Sequence, residues 1–252
     1  MSLRTTVDNK LRKALIMLET PGALAARFAG CYFELFQMVS RIRSMGVVPK
    51  TIIDVGANRG MFTRCAQYVF PEASIYAFEP LADCYEELRS LSQQSRKIHC
   101  YNVALGNVNR RSTFYRSSYD YSSSCLRMGP LHRKAFPYTG VQSVEKVNMQ
   151  TLDTVMKRIP VRSPVLMKVD VQGYEMHVMK GAKKSLALID CLICEISIRP
   201  LYEGGSGFDE IYSLLFRAGF AFSGQVGELK HPDTGEILQF DGLFLRRNWA
   251  GR

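Results

Sequence analysis

The sequence predicts an α/β fold, a mostly parallel sheet with helices on both faces. Three observations carry this. Short apolar runs recur at 51–55, 74–78, 98–104, 165–169 and 191–196. Stretches with helical spacing of apolar residues alternate with them. The runs are apolar throughout rather than at every second position, the mark of strands buried on both faces.

Each element follows from local pattern. Residues 1–46 form an N-terminal helical extension. Leu11, Leu15 and Leu18 repeat at helical spacing, and Thr20-Pro21 opens a second stretch. That stretch sets Leu24, Phe28, Leu35, Val39 and Ile42 on one face, which suits packing on the domain or on a second copy of the chain. Gly46-Val47-Val48-Pro49 ends it, and a second unit spans 47–252. There, helices are expected at 61–70, 83–92, 151–158, 174–188 and 208–218. Residues 107–149 are polar and basic and read as strands and loops. Two last strands are expected near 221–222 and 242–245.

Composition limits the function. The chain has 252 residues, 46% hydrophobic and 22% charged, enough for one large core. The seven cysteines are scattered and odd in number, so no disulfide framework is expected. With no signal-like leader at the start, this predicts a reducing, cytoplasmic setting. No apolar run approaches the length of a membrane span. Thirty-three basic against 23 acidic residues leave a net charge of +10. Residues 1–50 and 110–134 each carry +5 of it. That excess suits an anionic acceptor better than a neutral one. Nucleic acid is the less favoured anionic partner, because charge alone supports it.

The strongest motif is Asp54-Val55-Gly56-Ala57-Asn58-Arg59-Gly60, a strand running through a glycine turn into a helix. Gly56 permits close approach to a ligand, and Gly60 permits the turn. The three glycines of a dinucleotide fingerprint are missing, and Asp54 would repel a pyrophosphate. Glu79 follows at the end of the second strand, suited to holding a ribose diol. Together they point to an adenosine-bearing ligand without a diphosphate, such as S-adenosyl-L-methionine.

Five ordered motifs resemble the FkbM family of S-adenosylmethionine-dependent methyltransferases. They are Asp54 to Gly60 with Thr63, Phe78-Glu79-Pro80, Asn102 to Gly106, Thr151-Leu152-Asp153, and Lys168 to Glu175 with Lys180-Gly181-Ala182. The resemblance implies a Rossmann-like class I methyltransferase fold, with a seven-stranded sheet whose last strand is antiparallel. It implies O-methylation, often of a sugar hydroxyl. It assigns Gly56, Ala57, Asn58 and Gly60 to the cofactor's methionine end, and counts Asp54, Thr63 and Pro80 among the cofactor-binding residues. Glu79 goes to the ribose, and Asn102 and Ala104 to the adenine. Asp170 is expected beside the reactive methyl, as the catalytic base.

The chain departs from the family where Gln172 replaces a glutamate, so no base is expected there. The resemblance leaves room for a divalent cation held by Asp170 and Glu195, as some O-methyltransferases use one, though nothing in the pattern requires it. Tyrosines interleaved with arginines in 110–138 suggest a substrate lid. Arg116, Arg127, Arg133 and Glu195 are its candidate acceptor contacts. Cys191 and Cys194 should face opposite sides of a strand, as structural thiols. His177 is a weaker base candidate on a helix. Two other readings are a methyltransferase of RNA or protein, and a cofactor-binding subunit without turnover.

Overall fold

The computed structural model describes residues 15–249. The helix expected around Leu11 lies partly outside them, and residues 15–19 are helical. The next stretch is two helices rather than one: α1 (Ala23–Phe28) and α2 (Phe33–Ser44). Gly30, at φ +81°, breaks the run. The break turns Leu24 and Phe28 to solvent, while Val39 and Ile42 stay buried.

After α2 come β1 (Thr51–Val55), α3 (Met61–Val69), β2 (Ser74–Phe78), α4 (Ala82–Gln94) and β3 (Ile98–Tyr101). Then follow β4 (Ala104–Leu105), β5 (Arg110–Ser117), α5 (Pro130–Ala135), β6 (Val141–Gln150) and α6 (Leu152–Val155). The last part holds β7 (Val165–Val169), α7 (Glu175–Lys180), β8 (Cys191–Ser197), α8 (Phe208–Arg217), β9 (Phe220–Lys230) and β10 (Ile237–Arg246). The run expected at 98–104 is therefore two strands in different sheets. The helices expected at 151–158 and 174–188 are shorter, and β9 and β10 are longer than their apolar centres.

The main sheet has the order β3-β2-β1-β7-β8-β10-β9. All its pairings are parallel except those of β10, which runs antiparallel to both neighbours. This is the class I methyltransferase arrangement. Strand parity divides the core. Ile52, Leu166, Cys191, Ile193 and Leu243 join α2 and α3 on one face. Ile53, Met167, Leu192, Cys194 and Phe244 join α7 and α8 on the other. Cys191 and Cys194 thus do face opposite sides. Each fully buried Ile or Leu contributes about 1.5–3 kcal/mol of burial. No helix among the described residues is long and apolar enough to cross a membrane.

A second sheet, in the order β4-β6-β5, stands beside the carboxyl edge. Its β5–β6 hairpin carries a long excursion, residues 118–140, containing α5. Chain order reverses between β1 and β7, because β2 lies on one side of β1 and β7 on the other. Ligands of open α/β sheets bind at such a switch point, outside the carboxyl ends of the strands.

Candidate active site

Three strand-end loops meet there. The amides of Gly56 and Ala57 donate to the Phe78 carbonyl at 3.1 and 3.0 Å, joining the ends of β1 and β2. The Asp170 amide donates to the Val55 carbonyl at 3.0 Å, joining β7. The cleft above them has a volume of about 310 Å³. Gly56, Asn58, Glu79, Pro80, Ala104, Asp170 and Glu195 line it. The excursion 118–140 forms its other wall through Tyr119, Tyr121, His132, Phe136 and Tyr138.

The remaining expected cofactor residues lie beneath or beside the cleft and support it. Asp54 is fully buried, and its Oδ2 accepts from the Thr63 hydroxyl at 2.6 Å. Its Oδ1 has no hydrogen-bond partner among the described residues. Asn102 donates to the carbonyls of Glu79 and Pro80, both at 3.0 Å, and steadies the end of β2. Ala57 and Gly60 complete the turn, and Gly60 sits against Leu88 and Leu91 of α4.

Glu79 is 4% exposed. Its Oε2 accepts from the Asn58 amide at 2.9 Å and its Oε1 from the Leu81 amide at 2.8 Å. Burial outweighs these bonds and pushes its carboxyl up to about 7. Each oxygen keeps a second lone pair for a ligand hydroxyl.

A chain of polar groups runs across the ends of β7, β8 and β10. Lys168 Nζ donates to Asp170 Oδ2 at 2.7 Å. Burial works against the Lys168 charge, but Asp170, Asp54 and Asp241 outweigh it and hold the ammonium above the ordinary lysine range. Burial likewise works against the Asp170 charge, but Lys168 and the Gln172 amide hold that carboxyl below its ordinary range. The Asp170 side chain keeps 30% exposure, so a molecule in the cleft reaches it. Gln172 Nε2 donates to Asp170 Oδ1 at 2.9 Å and to Glu195 Oε2 at 2.7 Å. Burial, then the charges of Asp170, Glu175 and Asp241, push Glu195 well above the ordinary carboxylate range. Asp241 pairs with Glu195 in register and is pushed up to about 6 by burial.

Gln172 therefore bridges two acids where a glutamate would add a third. Its Oε1 accepts from the Tyr202 hydroxyl at 2.7 Å. A divalent cation at Asp170 and Glu195 does not fit this donor set. The Lys168 ammonium, 2.7 Å from Asp170 Oδ2, already supplies the positive charge there, and the Gln172 amide occupies the space between Asp170 and Glu195.

Glu175 is structural. Its Oε1 accepts from the amides of Val171 and Gly173, both at 3.1 Å, holding the loop in which Gln172 and Gly173 take left-handed backbone. His177 stacks on Tyr174 with ring centres 4.0 Å apart and does not line the cleft.

The structure does not bring the three candidate arginines into the cleft. Arg116 grips Asp83 with two bonds of 3.0 and 2.6 Å and Asp120 with one of 3.1 Å. Arg127 lies 5.2 Å over the Tyr115 ring. Arg133 donates to the Met128 carbonyl at 2.7 Å. Arg116 thus ties the lid to α4, while Arg127 and Arg133 are spent on Tyr115 and on the lid's own backbone. Among the described residues, no lysine or arginine lines the cleft, whereas Glu79, Asp120, Asp170, Glu195, Glu228 and Asp241 do. Sequence reasoning missed Lys168, Tyr202, Asp241 and His132 as site residues. Only the spacing of Lys168 and Asp170, two apart on one strand face, offered a signal.

Residues 54–222 match the methyltransferase FkbM domain. The 2-O-methyltransferase NoeI of Sinorhizobium fredii (strain NBRC 101917 / NGR234) is 28% identical over 174 residues, 65% of this chain and 70% of that protein. Methyltransferase 1 of Beauveria bassiana (strain ARSEF 2860) is 26% identical over 215 residues, 78% of this chain and 81% of that protein. The family match runs from the Asp54 turn through the lid and the Asp170–Gln172 loop into β9. With every wall of the cleft drawn from that stretch or from the strands paired to it, the chain belongs to the FkbM methyltransferase family.

Proposed function

We propose that this chain is an O-methyltransferase that takes its methyl group from S-adenosyl-L-methionine and acts on a hydroxyl of a carbohydrate or related metabolite. The observation that carries the reading is Glu79, a buried, cleft-lining carboxylate fixed by two backbone amides. A carboxylate so held accepts two hydrogen bonds from a ribose diol. The donor set also fits the rest of the cofactor. A lining of acidic side chains, the ionised Asp170 among them, without a lysine or arginine suits a sulfonium and an ammonium better than a pyrophosphate.

When bound, the cofactor supplies an activated methyl group on a positively charged sulfur. The chain's own residues do the rest. Glu79, fixed by the Asn58 amide, holds the ribose, and Gly56 leaves room at the turn. Tyr121, Phe136 and Tyr138 of the lid exclude water and face the acceptor. Asp170, kept ionised by Lys168, orients the acceptor hydroxyl and takes its proton as the new bond to carbon forms. Glu195, through Gln172, fixes the Asp170 carboxylate. The name of the relative NoeI, a 2-O-methyltransferase, supports oxygen as the accepting atom.

Calorimetry with S-adenosylhomocysteine tests this. The wild-type chain is expected to bind it, and Glu79→Ala to weaken binding by about 1.5–3 kcal/mol, the range for a hydrogen bond to a charged group. An unchanged affinity removes Glu79 from the site. No binding by the wild-type chain overturns the reading.

A further inference from the structure

Among the described lid residues that line the cleft, His132 is the buried side chain whose polar atoms are both enclosed and without a partner. It is 2% exposed and lines the cleft. Neither ring nitrogen has a hydrogen-bond partner. The ring is fixed edge-on between Phe136 and Tyr202, with centroids 5.3 Å from each. Two of its neighbours in the lid are already committed. Thr139 donates its hydroxyl to the Phe136 carbonyl at 2.7 Å, and Ser123 accepts the Ser117 amide at 3.0 Å. Two buried nitrogens without partners are costly, so a residue held this way is placed for something that enters the cleft.

The chemistry of that something is limited. Burial pushes His132 down to about 4, so the ring is neutral near pH 7. A neutral imidazole offers one donor and one acceptor. A hydroxyl offers the same pair and is its complement. A phosphate or carboxylate has no donor to give. It would also meet the ionised Asp170 and five further acidic side chains, with no lining lysine or arginine among the described residues to pair with it. The basic excess of the chain lies elsewhere, with Arg116 and Arg133 spent on internal partners.

We infer that His132 is the acceptor-specificity residue of this cleft, hydrogen-bonding a second hydroxyl of the acceptor, and that the acceptor is uncharged where it enters. This rests on the methyltransferase reading above. It departs from the anionic acceptor that the bulk charge suggests. Tyr202 gives the contact a route to the chemistry, since it packs on His132 and donates to Gln172, the bridge between Asp170 and Glu195.

The test uses the full chain saturated with S-adenosylhomocysteine and labelled with 15N at its four histidines. It is titrated with methyl galactoside, methyl mannoside and methyl glucoside, then with the matching hexose 6-phosphates. At least one neutral glycoside is expected to shift the His132 ring signals, and the phosphates are not. His132→Phe should weaken that glycoside about tenfold, as for one or two neutral hydrogen bonds. It should leave S-adenosylhomocysteine affinity within twofold and the melting temperature equal or higher. His132→Gln, which keeps a donor and an acceptor, should recover part of the loss. The inference is overturned if no neutral glycoside shifts His132, if a phosphate shifts it equally, or if the Phe variant binds the glycoside as wild type does. Loss of S-adenosylhomocysteine binding in the wild-type chain would instead sink the methyltransferase reading.

Discussion

Gly56 shows how a single position can serve two partners. Its φ is +80°, and a Cβ built there would stand 1.9 Å from the Asp170 carbonyl oxygen. The glycine is thus required by the backbone at the end of β7 as well as by any ligand above it. The motif alone suggests that a larger residue would block the ligand and leave the core intact. The contact with Asp170 predicts a wider effect. Gly56→Ala should lose at least about 1–2 kcal/mol from the left-handed backbone alone, and more from displacing the β7 loop. Urea denaturation checks this. An unchanged midpoint with lost cofactor binding would restore a ligand-only role. The glycine spacing was legible in the sequence, because a turn is a local event. The identity of its neighbour was not, because Asp170 reaches it only through the β1–β7 pairing.

At the scale of the element, the lid is held by charge. Asp120, at its start, is clasped by Arg116 from β5 and by Arg59 from the turn after β1, at 3.1 and 2.5 Å. Arg59 also pairs with Glu87, and both arginines reach Asp83. The clasp ties the lid to the turn beside the proposed cofactor position. Arg116→Gln should therefore raise amide hydrogen exchange several-fold in residues 118–124 and leave β7 and β8 unchanged. Equal exchange in the variant would show that packing of the lid tyrosines suffices without the clasp. Sequence counted these arginines but could not pair them, since the count carries no direction. The same limit shortened β9. Phe220–Lys230 mixes glycines with polar residues and reads as a strand only once it pairs with β10 along its length.

For the molecule as a whole, the net charge of +10 and the acid-lined cleft point in opposite directions, and only the cleft bears on the acceptor. The buried acids also set the response to pH. Glu79 and Glu175 are pushed up to about 7 and Asp241 to about 6, all by burial. The folded chain therefore holds protons that the unfolded chain has released. Each raised acid makes folding less favourable as pH rises from its ordinary value through its folded value. His132 and His177, pushed down by burial, act in the opposite sense below about 6.5, the ordinary histidine value. Asp170, held low, withdraws its stabilisation only when pH falls below the ordinary carboxylate range. With Glu195 also raised, the acids outnumber the histidines. The unliganded chain should melt at a higher temperature at pH 5.5 than at pH 7.5. A lower melting temperature at pH 5.5 would mean that these carboxyls are ionised in the fold.

Alternation of strand and helix, the glycine turn after β1, the acid closing β2 and the family signature were all determined by the sequence. Each depends on residues within a few positions of one another, where propensity and spacing act directly. The tertiary structure decided the partners. It showed that Lys168 holds Asp170, that Gln172 bridges it to Glu195, and that the lid arginines face inward to their own chain. It also placed His132, silent in the sequence, against the cleft with its nitrogens free. The physical reason is common to all of these. A side chain's charge state and hydrogen bonds depend on its burial and on atoms brought near by folding, and both come from strands and loops remote in sequence.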